Sequence, residues 1–203
     1  MLDRFVRPLI DPPLNRAGAA MAALGIPANA VTLAGLAIGL LCVPALANER
    51  YDLALACVLA SRLLDGLDGA VARSRGLTDF GGYLDIVSDM VFYAAVVFGF
   101  ALAQPENAVV AALLLFAFMG TSASFLAWAV VAAKRGLATE AQGRKSIFYS
   151  AGLIEGTETV LFLVAFCLFP AHFVELAIAC AALCAITVVG RVLAALRDFG
   201  GRT

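Results

Sequence analysis

The chain has 203 residues, of which 63% are hydrophobic and 14% charged, with a net charge of −1 at neutral pH. Soluble domains carry roughly 25% charged residues, so this composition excludes an ordinary water-soluble globule. The net charge says nothing about nucleic acid, but no basic tract of the density such a partner needs is present, so none is expected; the expected class is one all-α, polytopic membrane domain.

Residues 1–29 read as a juxtamembrane segment rather than a signal peptide. Asp3, Arg4, Arg7, Asp11 and Arg16 lie around Pro8, Pro12 and Pro13, with no apolar central run. Leu2, Phe5, Val6, Leu9 and Ile10 give the stretch an amphipathic character suited to the membrane surface. Residues 30–203 then carry six apolar stretches near or above the ~18 residues that span a bilayer, at 30–47, 53–71, 83–103, 108–133, 151–169 and 173–196. Gly35 and Gly39 form a G-x-x-x-G in the first, which permits close helix contact. Basic residues are concentrated before span one, after span two, between spans four and five and at the end, whereas the opposite loops hold only Arg50. By the positive-inside rule both termini and the aspartate site are expected to face the cytoplasm, in a multi-pass protein of the cytoplasmic (inner) membrane. The five cysteines lie in or beside apolar stretches and read as small buried hydrophobes.

The stretch 65–89 is the exception to this apolar pattern. Asp65 and Asp68, and then Asp85 and Asp89, are three and four residues apart, so each pair shares a helix face. The polar connection 74–78 turns one helix back beside the other, aiming four carboxylates at a common point. Clustered anions need cations, and hard oxygen ligands select Mg²⁺ or Mn²⁺. The expectation is a site for two divalent ions. Gly66 and Gly69 each cost about 1 kcal/mol relative to Ala within a helix, which fits a ligand or backbone in close approach. Arg73 follows one turn later, and its guanidinium suits bidentate phosphate binding.

Asp65, Asp68, Gly69, Ala72 and Arg73, a seven-residue spacer, then Gly81, Asp85 and Asp89 resemble the signature D-x-x-D-G-x-x-A-R … G-x-x-x-D-x-x-x-D of the CDP-alcohol phosphotransferase family. The resemblance implies an enzyme that transfers a substituted phosphate from a CDP-linked donor to a small alcohol acceptor, releasing CMP, and that acts as a homodimer among membrane lipids. It implies a two-metal mechanism in which Asp65 and Asp85 bridge both ions, Asp68 and Asp89 complete one site each, and Asp89 serves as general base. It also points to Asn29 and Thr32, near Pro27, as donor-binding residues, although Ala28 interrupts the family's P-N-x-x-T pattern. An ordinary helix start is the other reading. Thr78 stands where relatives carry a hydroxyl near the donor phosphates, or caps span three. A short six-span chain is similar to the members that use CDP-diacylglycerol; a soluble donor such as CDP-choline or CDP-ethanolamine is the alternative.

Arg62, one turn before Asp65, reads as a structural neutraliser of a carboxylate. Lys145 lies in a basic connection that either reaches phosphates or anchors span five. Glu155 and Glu158 fall two turns or more inside span five, where an unpaired charge costs ~2.5–3.5 kcal/mol. They either pair with Arg191 or line an acceptor pocket with Lys145 and Arg191. Two extra carboxylates fit a phosphorylated acceptor poorly, and favour an amine or a polyol. From a different class, a cation transporter also clusters intramembrane aspartates, but it has no use for Gly69 and Arg73 at this spacing.

Overall fold

The computed structural model describes residues 3–136 and 152–200, and among them every regular element is helical. In chain order these are α1 (Asp3–Ala23), α2 (Ala28–Leu40), α3 (Cys42–Ala47), α4 (Tyr51–Arg75), α5 (Asp79–Ala103), α6 (Ala108–Lys134), α7 (Gly156–Leu168) and α8 (Phe173–Phe199). Short 3₁₀ turns at Pro105–Asn107 and Pro170–His172 lead into α6 and α8.

Local chemistry sets the boundaries. α1 ends in a Schellman turn: Gly25 takes φ 83°, its N–H donates to Ala22 O at 3.0 Å, and Ile26 N–H donates to Met21 O at 3.1 Å. Pro27 then bars continuation and serves as N-cap of α2. Pro44 lacks an N–H and crowds the carbonyl four residues before it, so the first apolar stretch breaks at Leu41 into α2 and α3. Gly76, at φ 105°, closes α4. The Thr78 hydroxyl accepts from Gly81 N–H at 3.0 Å and caps α5.

α2, α3, α4 and α5 form the centre, with α1 laid along α4, while α8 packs against α6 and α7. The largest buried side chains gather at the end formed by the C-terminal half of α5, the C-terminus of α7 and the start of α8. There Phe100 stacks on Phe173 at 4.5 Å between centroids, and Phe166 meets both edge-on. Cys42, Cys57, Cys167, Cys180 and Cys184 are all buried in this core. Gly35 and Gly39 are used within the chain. A Cβ at Gly35 would lie 3.1 Å from Leu64 Cβ, and one at Gly39 would lie 2.6 Å from the Phe92 ring. α2 therefore sits directly on α4 and α5.

Among the described residues, four helical segments are long and apolar enough to cross a bilayer: Ala28–Ala47, Asp79–Ala103, Pro105–Lys134 and Pro170–Phe199. The other two expected spans differ for identifiable reasons. α4 has the length, but Asp52, Arg62, Asp65, Asp68, Arg73 and Arg75 lower its hydropathy. α7 has 13 residues, because its helix begins at Gly156 instead of residue 151.

Candidate metal and phosphate site

At the end of the bundle opposite the aromatic core is a cavity of about 1000 Å³, enclosed by α1, α2, α4, α5 and α7. α4 contributes Arg62, Asp65, Gly66, Asp68, Gly69, Ala72 and Arg73, a stripe at helical spacing. α5 contributes Gly81, Gly82, Asp85, Asp89 and Tyr93, with Thr78 at its cap, and α2 contributes Asn29 and Thr32 beside Pro27. All nine residues expected at the metal and CDP-donor sites therefore line one space.

Asp65, Asp68 and Asp85 bring carboxylate oxygens within 4.8 Å of one another. Asp68 is 5% exposed, and its Oδ2 is buried without a hydrogen-bond donor. A buried carboxylate oxygen left in that state is strongly unfavourable, and a cation shared by the three carboxylates supplies the missing partner. Hard oxygen donors at this separation fit Mg²⁺ or Mn²⁺. Asp89 does not join the three. Arg62 Nη1 donates to its Oδ1 at 2.6 Å, and the Tyr93 hydroxyl donates to its Oδ2 at 3.2 Å. Arg62 also lies 3.6 Å from Asp65. All four aspartates expected from the sequence thus face one cavity, three with oxygens in mutual reach and Asp89 held by Arg62 and Tyr93.

The two glycines of α4 have different neighbours. A Cβ at Gly66 would lie 2.9 Å from Leu14 of α1, whereas one at Gly69 would lie 3.3 Å from Arg73 Nη1. Gly66 admits α1, and Gly69 leaves room for the Arg73 guanidinium above it. Arg73 donates from Nε and Nη2 to Asn15 Oδ1 at 3.2 and 2.8 Å. Thr32 donates to Ala28 O at 3.2 Å, an ordinary back-bond within α2, while still lining the cavity.

Of the expected acceptor residues, Glu155, Glu158 and Arg191 are not among the residues that line this cavity. Glu155 is not inside a helix. It is the N-cap of α7, and with Glu158 it forms a capping box in which each side chain accepts from the other's backbone end. Glu155 Oε1 also accepts from Gly152 N–H at 3.1 Å, and Leu153 and Ile154 N–H both donate to Thr187 Oγ1 of α8. Neither glutamate lines the cavity; Gly156, Thr157, Val160 and Leu161 of α7 do. Arg191 of α8 donates to Thr121 O of α6 at 2.8 Å and is not among the cavity residues. Lys145 lies outside the described residues. The sequence reading missed Tyr93, although it is four residues from Asp89, and the α1 side chains Val6, Ile10, Asp11, Leu14 and Asn15, whose part depends on where α1 docks.

Residues 26–194 match the family model for CDP-alcohol phosphatidyltransferase. The chain is 51% identical over 193 residues to the inner membrane protein YnjF of Escherichia coli K12, covering 95% of this chain and 94% of that protein. It is 39% identical over 98 residues to an archaetidylinositol phosphate synthase of Pyrococcus horikoshii, and 33% identical over 103 residues to one of Methanothermobacter thermautotrophicus. These two alignments span 48% and 49% of this chain, and 52% and 49% of the relatives. With the aspartate signature gathered in one cavity and the family match spanning most of its length, this chain belongs to the CDP-alcohol phosphatidyltransferase family.

Proposed function

We propose that the chain transfers a phosphatidyl-type group from a CDP-linked lipid, with CDP-diacylglycerol as the expected donor, to an alcohol, releasing CMP. The observation carrying this reading is the mixed wall of the cavity. Carboxylates and Arg73 face one space together with the apolar side chains Val6, Ile10, Leu14, Val160 and Leu161. A ligand with a diphosphate and hydrocarbon tails matches both surfaces.

Asp65, Asp68 and Asp85 are the residues to hold a divalent cation, which when bound supplies Lewis-acid charge at the diphosphate. Arg73 exchanges Asn15 for a phosphate oxygen, with its planar fork matched to two oxygens. Asn29, Thr32 and Thr78 hold the cytidine side. Asp89 takes the proton of the acceptor hydroxyl, whose oxygen bonds to the lipid-bearing phosphorus as the phosphoanhydride breaks and CMP leaves with the bond's electrons. The orientation we infer from the basic residues, with both termini cytoplasmic, would put this cavity on the side that supplies CDP-linked donors, and the expected assembly is a homodimer.

Glu155 and Glu158 cap α7 and are not among the described residues lining the cavity, so phosphorylated acceptors are tried beside amines and free polyols. Two relatives are named archaetidylinositol phosphate synthases, which makes a phosphorylated polyol the first acceptor to try. The test incubates purified protein, Mg²⁺ and CDP-diacylglycerol with phosphorylated polyols, free polyols and amino alcohols, following CMP and the new lipid. Acceptor-dependent CMP release with a matching lipid product is expected. No CMP release with any acceptor or CDP-linked lipid would reject the function.

A further inference from the structure

Asp89 already has a cationic partner within the chain. Arg62 reaches it from α4 at 2.6 Å, and it also lies 3.6 Å from Asp65. Its guanidinium therefore lies between Asp65 and Asp89. The Arg62 side chain is only 12% exposed. Its guanidinium carbon lies 4.1 Å from the Phe92 ring centroid and 5.4 Å from that of Tyr93, and Nη2 donates to Ser61 Oγ at 3.3 Å. The seat depends on residue 39 being glycine. A Cβ there would lie 2.6 Å from Phe92 and 2.7 Å from Ser61 Oγ, displacing the ring and the hydroxyl that hold the guanidinium.

Ordinary neutralisation of a carboxylate needs none of this confinement. A guanidinium fixed by an aromatic face, a hydroxyl and two carboxylates is a stationary positive charge. A second cation would be held by Asp65, Asp85 and Asp89, and Arg62 already contacts two of these three. We propose that Arg62 stands in for a second divalent cation, so that this chain binds one ion, at Asp65, Asp68 and Asp85. With Tyr93 on the other oxygen, it acts as a positioning residue for Asp89. The positioning part rests on the reading of Asp89 as base; the ion count does not.

The test is Mn²⁺ binding to the purified full chain without donor or acceptor, counting free Mn²⁺ by electron paramagnetic resonance. The wild type is expected to bind one tight Mn²⁺ per chain. Arg62→Met, which removes the charge and frees Asp89, is expected to gain a second site. Two tight ions per wild-type chain would overturn the proposal whatever the variants do, and so would a folded Arg62→Met protein that still binds one. Tyr93→Phe keeps the ring and removes only the hydroxyl. It is expected to lower kcat by about tenfold, at the low end for residues that orient a metal or catalytic group, with donor KM unchanged. Wild-type kcat in Tyr93→Phe would overturn the positioning part. One ion per chain with no transfer to any acceptor would reject the function proposed above and leave the ion count standing.

Discussion

Among the cavity's hydroxyls and carboxylates, Thr78 has a local role that can be measured directly. Its Oγ1 accepts from Gly81 N–H, and a Cβ at Gly81 would lie 2.9 Å from that oxygen and 3.3 Å from Asn29 Oδ1. Cap, glycine and Asn29 therefore form one contact between α2 and α5. Thr78→Ala is expected to destabilise the protein by about 1 kcal/mol and to raise donor KM, while Thr78→Ser keeps both near wild type. Thermal denaturation in detergent together with donor titration checks this, and unchanged stability in Thr78→Ala would refute the capping role. At this scale the sequence was most legible where chemistry follows helical spacing. Asp65, Asp68, Asp85, Gly69 and Arg73 are found by three- and four-residue steps and reach the cavity as expected. The pairing of Arg62 with Asp89 spans 27 positions. Spacing names the face a residue occupies, but not which neighbouring helix that face meets.

Among the elements, α1 and the start of α7 were the least legible. α1 contains three prolines, each costing about 3 kcal/mol in a helix interior, so its helicity depends on what it packs against. That surface is α4. A Cβ at Gly18 would lie 2.5 Å from Ala70 Cβ and 2.8 Å from its carbonyl carbon. Backbone cannot yield as a flexible side chain does, so Gly18→Val is expected to cost about 1–3 kcal/mol by overpacking. It should also raise donor KM, because Val6, Ile10 and Leu14 leave the cavity wall. Unaltered thermal stability and donor KM would show that α1 is not docked there. The start of α7 was misread for a different reason. Hydropathy runs through residues 151–155, but Leu153 and Ile154 donate to Thr187 of α8 in place of helical carbonyls. An apolar run does not mark where a chain leaves the helix.

For the whole molecule, polarity is segregated along the bundle, with the aromatic core at one end and the cavity at the other. Eleven of the fourteen basic residues fall in the segments expected on the cytoplasmic side, and only Arg50 falls in an opposite loop. Ser74, beside the cavity, is exposed, as is Glu106 at the other end, and the five native thiols are buried. In intact cells an impermeant thiol reagent is expected to label Glu106→Cys and to spare Ser74→Cys; the reverse pattern would refute the orientation. The central claim is that a cation held by the clustered aspartates drives release of CMP. It is tested most directly by measuring CMP release from CDP-diacylglycerol, with an acceptor that supports turnover, for wild type and a folded Asp85→Asn variant, each with Mg²⁺ and with chelator. The account predicts turnover only by the wild type with Mg²⁺, with at least a 100-fold loss on chelation or substitution, roughly the scale of removing a key electrostatic group from an active site. Undiminished CMP release by Asp85→Asn in the presence of chelator would contradict it.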